Sequence, residues 1–335
     1  MKTQEKPNPD HAIVLEIDEN SQDQRIDNFL VKICKGVPKA HLFRIIRSGE
    51  VRVNSKRVEA KHKLGVGDKV RIPPIKTLVD QTPEGNTSGN VQNLDRLARS
   101  AESIPILFED DHLLVINKPS GTAVHGGSGV SLGIIEQMRA LARFNSIQLE
   151  LVHRIDRETS GVLIIAKKRS ALRALQAQLR ERSWKKYYQT LVLGRWPKSL
   201  NRVELSLTKV QGGENEKKVF VDPGGDKAIT LFKPIQCFSS FNSDFTLLQA
   251  QILTGRTHQI RVHTSASGFP IAGDDRYGDF ATNKYLVKFG LKRMFLHAAR
   301  IQLVHPATNE TIVLEAPLAP ELEKFIQSLD RADSK

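Results

Sequence analysis

Residues 153–161 read His153-Arg154-Ile155-Asp156-Arg157-Glu158-Thr159-Ser160-Gly161 and run directly into the apolar stretch Val162–Ala166. A charged turn followed by five branched or small apolar residues predicts a buried strand entered from a polar loop. The Asp156 carboxylate is therefore expected at the mouth of a site rather than inside a core. Arg154 and Arg157 flank it, and nearby positive charge favours the ionised carboxylate. A structural salt bridge within a turn accounts for the same residues equally well.

Working outward, further strands are predicted at Leu113–Asn117, Tyr187–Leu193, Phe245–Leu253 and Thr311–Glu315. A helix follows Ser170, read as its N-cap, with Leu172, Leu175 and Leu179 on one face. Strands and helices do not alternate regularly, which predicts an α+β domain over residues 104–330 with a mixed, largely antiparallel sheet. Upstream, residues 1–20 read as a polar tail. Residues 21–76 form a small α/β module: a helix over 25–35, a turn at Gly36–Pro38, a helix from Lys39 to Ser48 ended by Gly49, and short strands at Val51–Asn54 and Lys69–Pro73. Residues 77–103 lack apolar periodicity and read as a linker.

The 335 residues carry a net charge of +13, the signature of a polyanion partner. The excess is concentrated: residues 24–76 hold fourteen basic residues against four acidic ones. No stretch approaches the roughly 18 consecutive apolar residues of a membrane span. Met1–Asp10 has no apolar leader core, so a cytoplasmic location and no membrane partner are expected. Cys34 and Cys237 lack the spacing of a metal site or a disulfide framework.

Three other segments carry reactive side chains. Asn117-Lys118-Pro119-Ser120-Gly121-Thr122-Ala123-Val124-His125 runs from a strand into a glycine-containing loop but lacks the spacing of a nucleotide-binding P-loop. In Lys186-Tyr187-Tyr188-Gln189-Thr190-Leu191-Val192-Leu193-Gly194, strand alternation sends the two tyrosines to opposite faces; a core tyrosine is the default reading of either. Leu253-Thr254-Gly255-Arg256-Thr257-His258-Gln259-Ile260-Arg261-Val262-His263 contains a helix over 257–267 closed by Gly268, with His258 and Arg261 one turn apart. His258 and His263 are not spaced as metal ligands.

Together, NKPSGTAVH, HRIDRETSGV, KKYYQTLVLG, LTGRTHQIRVH and FLHAARIQLVHP closely resemble the RluA-type pseudouridine synthases over roughly 200 residues, in that family's order. Ile155 departs conservatively from the usual leucine. The series RIDNFL, RIIRSGEVRVN and GDKVRIP resembles the S4 RNA-binding domain. With KGVPK, GTAVHGGSG and DDRYGD, the likeness extends to the C-type branch that acts on large-subunit ribosomal RNA. Residues 200–225 follow none of these motifs.

The resemblance implies a pseudouridine synthase fold and isomerisation of several uridines in 23S ribosomal RNA, free or in an assembly intermediate, by a monomer without cofactor or metal. It implies Asp156 as the catalytic carboxylate, Tyr188 against the uracil, Arg261 paired with Asp156 in a bidentate contact, and Arg154 filling the space of an extruded uridine. His125, Arg256 and His258 are placed on the substrate. Lys39, Arg44, Arg47, Arg52, Lys56 and Arg57 are placed on RNA phosphates, and lysine and arginine neutralise phosphates without reading sequence. The alternatives are a binding protein with an inert second domain, the same reaction on transfer RNA, and a nuclease or hydrolase. The last lacks both an acidic metal cluster and a Ser-His-Asp order.

Overall fold

The computed structural model describes residues 11–18, 21–34, 37–75, 98–126, 133–144, 147–211 and 217–333. The chain divides into two compact units, Met1–Asp95 and Arg96–Lys335.

In the first unit, α1 (Ile26–Ile33) and α2 (Lys39–Arg47) bury Ile26, Phe29 and Leu30, and Leu42, Ile45 and Ile46. That i, i+3, i+4 spacing gives each helix one apolar stripe. Both stripes share a core with a four-stranded antiparallel sheet ordered β1-β4-β2-β3. The strands are β1 (Ile13–Glu16), β2 (Arg52–Val53), β3 (Lys56–Arg57) and β4 (Lys69–Ile72). The polar tail expected through residue 20 is corrected here. Ile13 and Leu15 are buried while Val14 and Glu16 are exposed, and the segment pairs in register with β4. Residues 1–10, 19 and 20, Lys35 and Gly36 lie outside the described residues, as does most of the expected linker. The rest of that linker is not linker: residues 98–102 are helical, and Ala101 and Ile104 enter the core of the second unit.

The second unit is built on a mixed sheet of eleven strands. These are β5 (Ile106–Glu109), β6 (Leu113–Lys118), β7 (Glu150–Leu151), β8 (Ser160–Ala166), β9 (Lys185–Leu193), β10 (Arg202–Gln211), β11 (Lys217–Val221), β12 (Asp226–Ser240), β13 (Ser243–Ile252), β14 (Leu296–Val304) and β15 (Thr311–Glu315). The order is β11-β10-β12-β13-β9-β14-β8-β6-β5, with β15 added to β14 and β7 to β8. Among the described strands, only β14 and β8 pair in parallel, so the expected largely antiparallel, mixed sheet is what forms. The span 200–225, without a readable motif, supplies β10 and β11, which pair antiparallel.

All seven residues of β8 are buried, as expected of a strand covered on both faces. Its side chains alternate between two cores. Val162, Ile164 and Ala166 join Ala171, Leu172 and Leu175 of α4 (Arg169–Arg180). Leu163 and Ile165 join Ile134, Ile135 and Met138 of α3 (Ile134–Ala140). Ser170 is not the N-cap of α4; Lys168 holds that position, and Ser170 sits inside the first turn. At the start of β8, Gly161 adopts φ +113°, and a Cβ there would lie 2.2 Å from the Ala298 carbonyl oxygen. The close parallel approach of β14 therefore requires glycine at this position. Among the described residues, no helix is long and apolar enough to cross a membrane.

Candidate active site

Asp156 stands in the loop that feeds β8, and that loop is fixed from both ends. On the near side, the His153 ring packs edge-on against Trp184, with centroids 5.5 Å apart, and its Nε2 accepts the Ile164 N–H at 3.1 Å. Burial, aided by the Lys186 cation, pushes His153 down to about 3, so the ring is neutral. On the far side, the loop is laced to residues 118–122. Gly121 N–H donates to the Arg157 carbonyl and Arg157 Nε to the Gly121 carbonyl, both at 2.9 Å, while Ser120 Oγ donates to the Glu158 carbonyl at 2.7 Å.

Beneath this lacing lies Lys118, fully buried. Its Nζ donates to the carbonyls of Pro119 and Thr122 at 2.8 Å and of Arg157 at 3.0 Å. Burial pushes the ammonium down to about 7. Three carbonyl acceptors nevertheless need three N–H donors, which only the charged form has. Lys118 is a charged strut for the Asp156 loop. The chemistry-bearing look of the NKPSG segment thus has a structural basis.

Facing Asp156 is the N-terminus of α5 (Gln259–Ala266), and His258 precedes it in the left-handed conformation at φ 52°. The predicted helix began at residue 257; the strained turn at His258 moves the start to Gln259. Such a conformation persists in a non-glycine residue when the surroundings over-determine it. Here Gln259 does so: Oε1 accepts from Thr254 Oγ1 at 2.7 Å and Arg256 N–H at 3.0 Å, while Nε2 donates to the Ile229 carbonyl at 2.9 Å and Thr230 Oγ1 at 3.0 Å.

The bidentate partner expected of Arg261 requires correction. Arg261 Nε and Nη2 grip Asp274 at 2.7 and 2.6 Å, with Asp275 Oδ1 3.3 Å from Nη2. Its remaining nitrogen, Nη1, lies 3.9 Å from Asp156 Oδ2. The fork is consumed by Asp274 because that carboxylate is fully buried and must be paired, whereas Asp156 is 23% exposed. Burial opposes the charge on Arg261, but the hydrogen bonds and charge of Asp274 outweigh it and hold the guanidinium protonated. His258 Nε2 is also 3.9 Å from Asp156 Oδ2, so one carboxylate oxygen faces two nitrogen groups. Burial lowers the pKa of His258, against the pull of Asp156.

Around these groups is a cavity of about 430 Å³, lined by Asp156, Arg154, Tyr188, Lys186, Arg256, His258 and Arg261 among others. Its volume is in the range of small-ligand sites, about 300–1,000 Å³. Tyr188 enters it from β9, while Tyr187 lies on the opposite face under Arg300, 4.2 Å from ring centre to Cζ. The alternation expected of the two tyrosines is what forms. Burial, and next the Asp156 charge, raise the Tyr188 pKa, so its hydroxyl stays protonated and is available as a donor. Arg154 is exposed at the rim; Arg256 is half-buried and paired with Asp226 at 2.9 Å.

Of the predicted substrate residues, His125 is the exception. It is exposed, near the N-terminus of α3, and does not line the cavity. In the first unit, Lys39, Arg44, Arg47, Arg52, Lys56 and Arg57 are all exposed. Arg57 donates to the Ser48 carbonyl at 3.0 Å, and Arg52 to the Gly49 and Ser55 carbonyls at 3.2 and 3.3 Å. Asp274, Lys118, Gln259 and Tyr277 were not assigned from sequence. Asp274 and Tyr277 fall within DDRYGD and Lys118 within NKPSG, so the signal existed as a motif without a residue-level role.

The arrangement combines a partly exposed carboxylate, a buried guanidinium, an imidazole and an aromatic ring around one cavity. Residues 112–266 match the family model of RNA pseudouridylate synthases, and residues 24–70 match that of the S4 domain. The chain is 53% identical over 319 residues to the ribosomal large subunit pseudouridine synthase C of Vibrio vulnificus, covering 94% of this chain and 96% of that protein. It is 48% identical over 324 residues to the protein of the same name from Escherichia coli K12, covering 95% and 97%. Among solved structures, human RNA pseudouridylate synthase domain containing 4 superposes with a TM-score of 0.56 at 27% identity, covering 72% of this chain and 98% of that one. With its site geometry and near full-length relatives, the chain belongs to the RNA pseudouridylate synthase family, as an RNA pseudouridine synthase with an S4 domain ahead of its catalytic unit.

Proposed function

We propose that this enzyme converts several uridines of 23S ribosomal RNA to pseudouridine, with Asp156 as the catalytic carboxylate. The observation that carries this reading is the placement of Asp156 Oδ2 in the cavity, 3.9 Å from both Arg261 and His258, with Tyr188 on the same lining. The names of the relatives and the S4 domain support the substrate class. A cytoplasmic enzyme acting as a monomer is part of the same proposal: a ribosomal RNA substrate is consistent with the first, and a cavity lined by residues of one chain with the second.

The reaction breaks the N1–C1′ bond, turns the uracil over and joins C5 to C1′; the C5 proton leaves and N1 gains one. Substrate and product are isomers, so no net oxidant or energy source enters the balance. A carboxylate opens the bond either by attacking C1′, as glycosidase nucleophiles do, or by removing the C2′ proton. Uracil departs as a delocalised anion, which lessens the need for a second carboxyl acid. Arg261, anchored by Asp274, directs a positive charge at Asp156. Tyr188 offers a ring face to the base and a protonated hydroxyl near the leaving and returning atoms. Reaching a stacked uridine requires flipping it out, at a cost of about a few kcal/mol. In this reading Arg154, exposed on the cavity lining, fills the vacated stack.

Loss of the C5 hydrogen provides the test. Large-subunit RNA labelled with tritium at uracil C5 is expected to release tritium to water with the wild type and not with Asp156→Asn. Equal release by both proteins would remove Asp156 from the mechanism, and tight RNA binding without release from either would favour a binding protein.

A further inference from the structure

Tyr277 joins three parts of the second unit through one hydroxyl. Its oxygen accepts the Val219 N–H of edge strand β11 at 2.9 Å and lies 2.8 Å from His258 Nδ1. Its ring lies beneath the guanidinium of Arg261, 5.0 Å from Cζ to centroid, and edge-on to His258 at 5.5 Å and 71°. Its backbone N–H, with that of Arg276, donates to Asp274 Oδ1 at 3.0 and 2.9 Å. The Asp274 carboxylate that holds Arg261 thus also holds Tyr277.

We propose that Tyr277 is a positioning residue whose hydroxyl sets the tautomer in which His258 faces Asp156. A tyrosine hydroxyl has one hydrogen to give. With one lone pair engaged by Val219 N–H, that hydrogen is directed to His258 Nδ1. A neutral imidazole that accepts at Nδ1 carries its proton at Nε2, the nitrogen 3.9 Å from Asp156 Oδ2. The other tautomer would turn a lone pair toward the carboxylate. Burial, reinforced by Arg261 and Arg276 and opposed by Asp156 and Asp274, keeps His258 on the neutral side. Asp156 is then flanked by a guanidinium N–H and a neutral imidazole N–H. Catalytic contacts that are long without substrate tighten in the Michaelis complex.

The catalytic consequence rests on the pseudouridine reading above; the tautomer does not, so the test separates them. In the full chain with ¹⁵N-labelled histidine, NMR is expected to show His258 protonated at Nε2 in the wild type and a mixture of tautomers in Tyr277→Phe. In single-turnover assays on large-subunit RNA, Tyr277→Phe is expected to lower the saturating rate about ten-fold, the effect of losing one hydrogen bond, with half-saturation unchanged. His258→Gln, whose amide nitrogen reaches toward the Nε2 position, should retain more rate than His258→Asn. Adding Tyr277→Phe to His258→Gln should then cost no further rate. A wild-type His258 protonated at Nδ1 would overturn the proposal. So would equal losses from Tyr277→Phe in both backgrounds, the mark of a merely structural tyrosine. An Nε2–H tautomer in a protein that forms no pseudouridine would refute the reaction while leaving the positioning intact.

Discussion

Replacing Asp274 by asparagine keeps the shape of the side chain and removes its charge, leaving the Arg261 guanidinium, 3% exposed, without its principal counter-ion. The wild-type pair makes two hydrogen bonds of 2.7 and 2.6 Å. An amide accepts through one oxygen only, so its NH₂ group would point at a guanidinium N–H. Breaking a buried ion pair by neutralising one partner costs about 3–5 kcal/mol. For a unit of this size, each kcal/mol lowers Tm by about 2–4 °C, giving a fall of about 6–20 °C. Scanning calorimetry of the full chain measures it. The loss should depend on pH. Burial opposes the Asp274 charge, but Arg261 and the N–H groups of Arg276 and Tyr277 prevail and hold its pKa below the usual range. A depressed carboxyl pKa stabilises the fold above the unfolded value, about 3.9, and that contribution is lost as pH falls through the folded value. The gap between wild type and variant should therefore begin to close as pH falls below about 4 and vanish only below the folded value. Turnover should fall as well, because Nη1 of Arg261 loses the anchor that directs it at Asp156. A Tm change under about 2 °C at neutral pH, where the ion-pair argument requires several, would refute the assignment of Asp274 as that anchor.

Three further outcomes are expected. Burial lowers His153 to about 3 and His263 to about 4, so below pH 6.5 the unfolded chain binds protons that the native state refuses. Urea unfolding should show stability dropping by about 1.4 kcal/mol per pH unit per histidine as pH falls from about 6.5 toward those values, and His263→Leu should shallow the drop. Gly161→Ala would set a Cβ 2.2 Å from the Ala298 oxygen; beyond the clash, the conformation alone costs about 1–3 kcal/mol, and a lowered Tm or loss of folded yield is the readout. Exchanging Arg44, Arg47 and Lys56 for alanine should weaken RNA binding and reduce the salt slope of log K by up to about 0.9 per lost phosphate contact, measured by filter binding across a salt series.

What the sequence showed, and what it hid, divides by distance along the chain. The Asp156 loop, strand β8 and the opposed Tyr187 and Tyr188 were legible because charge pattern and alternation are local. Helix α2 was legible from Leu42, Ile45 and Ile46 at helical spacing. The partner of Arg261 was not: Asp274 lies thirteen residues on, and only the folded loop brings its carboxylate beneath the guanidinium. Strand β1 was missed because four residues, Ile13–Glu16, gain their identity from pairing with β4 far downstream. The left-handed turn at His258 is likewise enforced by the tertiary contacts of Gln259 with Ile229 and Thr230, and no local propensity announces it. Lys118 carries no role in the sequence, since its segment lacks P-loop spacing; only the fold brings the Arg157 carbonyl, thirty-nine residues on, to its ammonium and makes it a strut.

Nucleotide-resolution mapping of pseudouridine in 23S RNA treated with the wild type or with Asp156→Asn is the decisive measurement. The mechanism requires new pseudouridines at several defined positions with the wild type and none with the variant, while both bind the RNA equally. Modification by Asp156→Asn at wild-type yield, or none by the wild type despite tight binding, would contradict it.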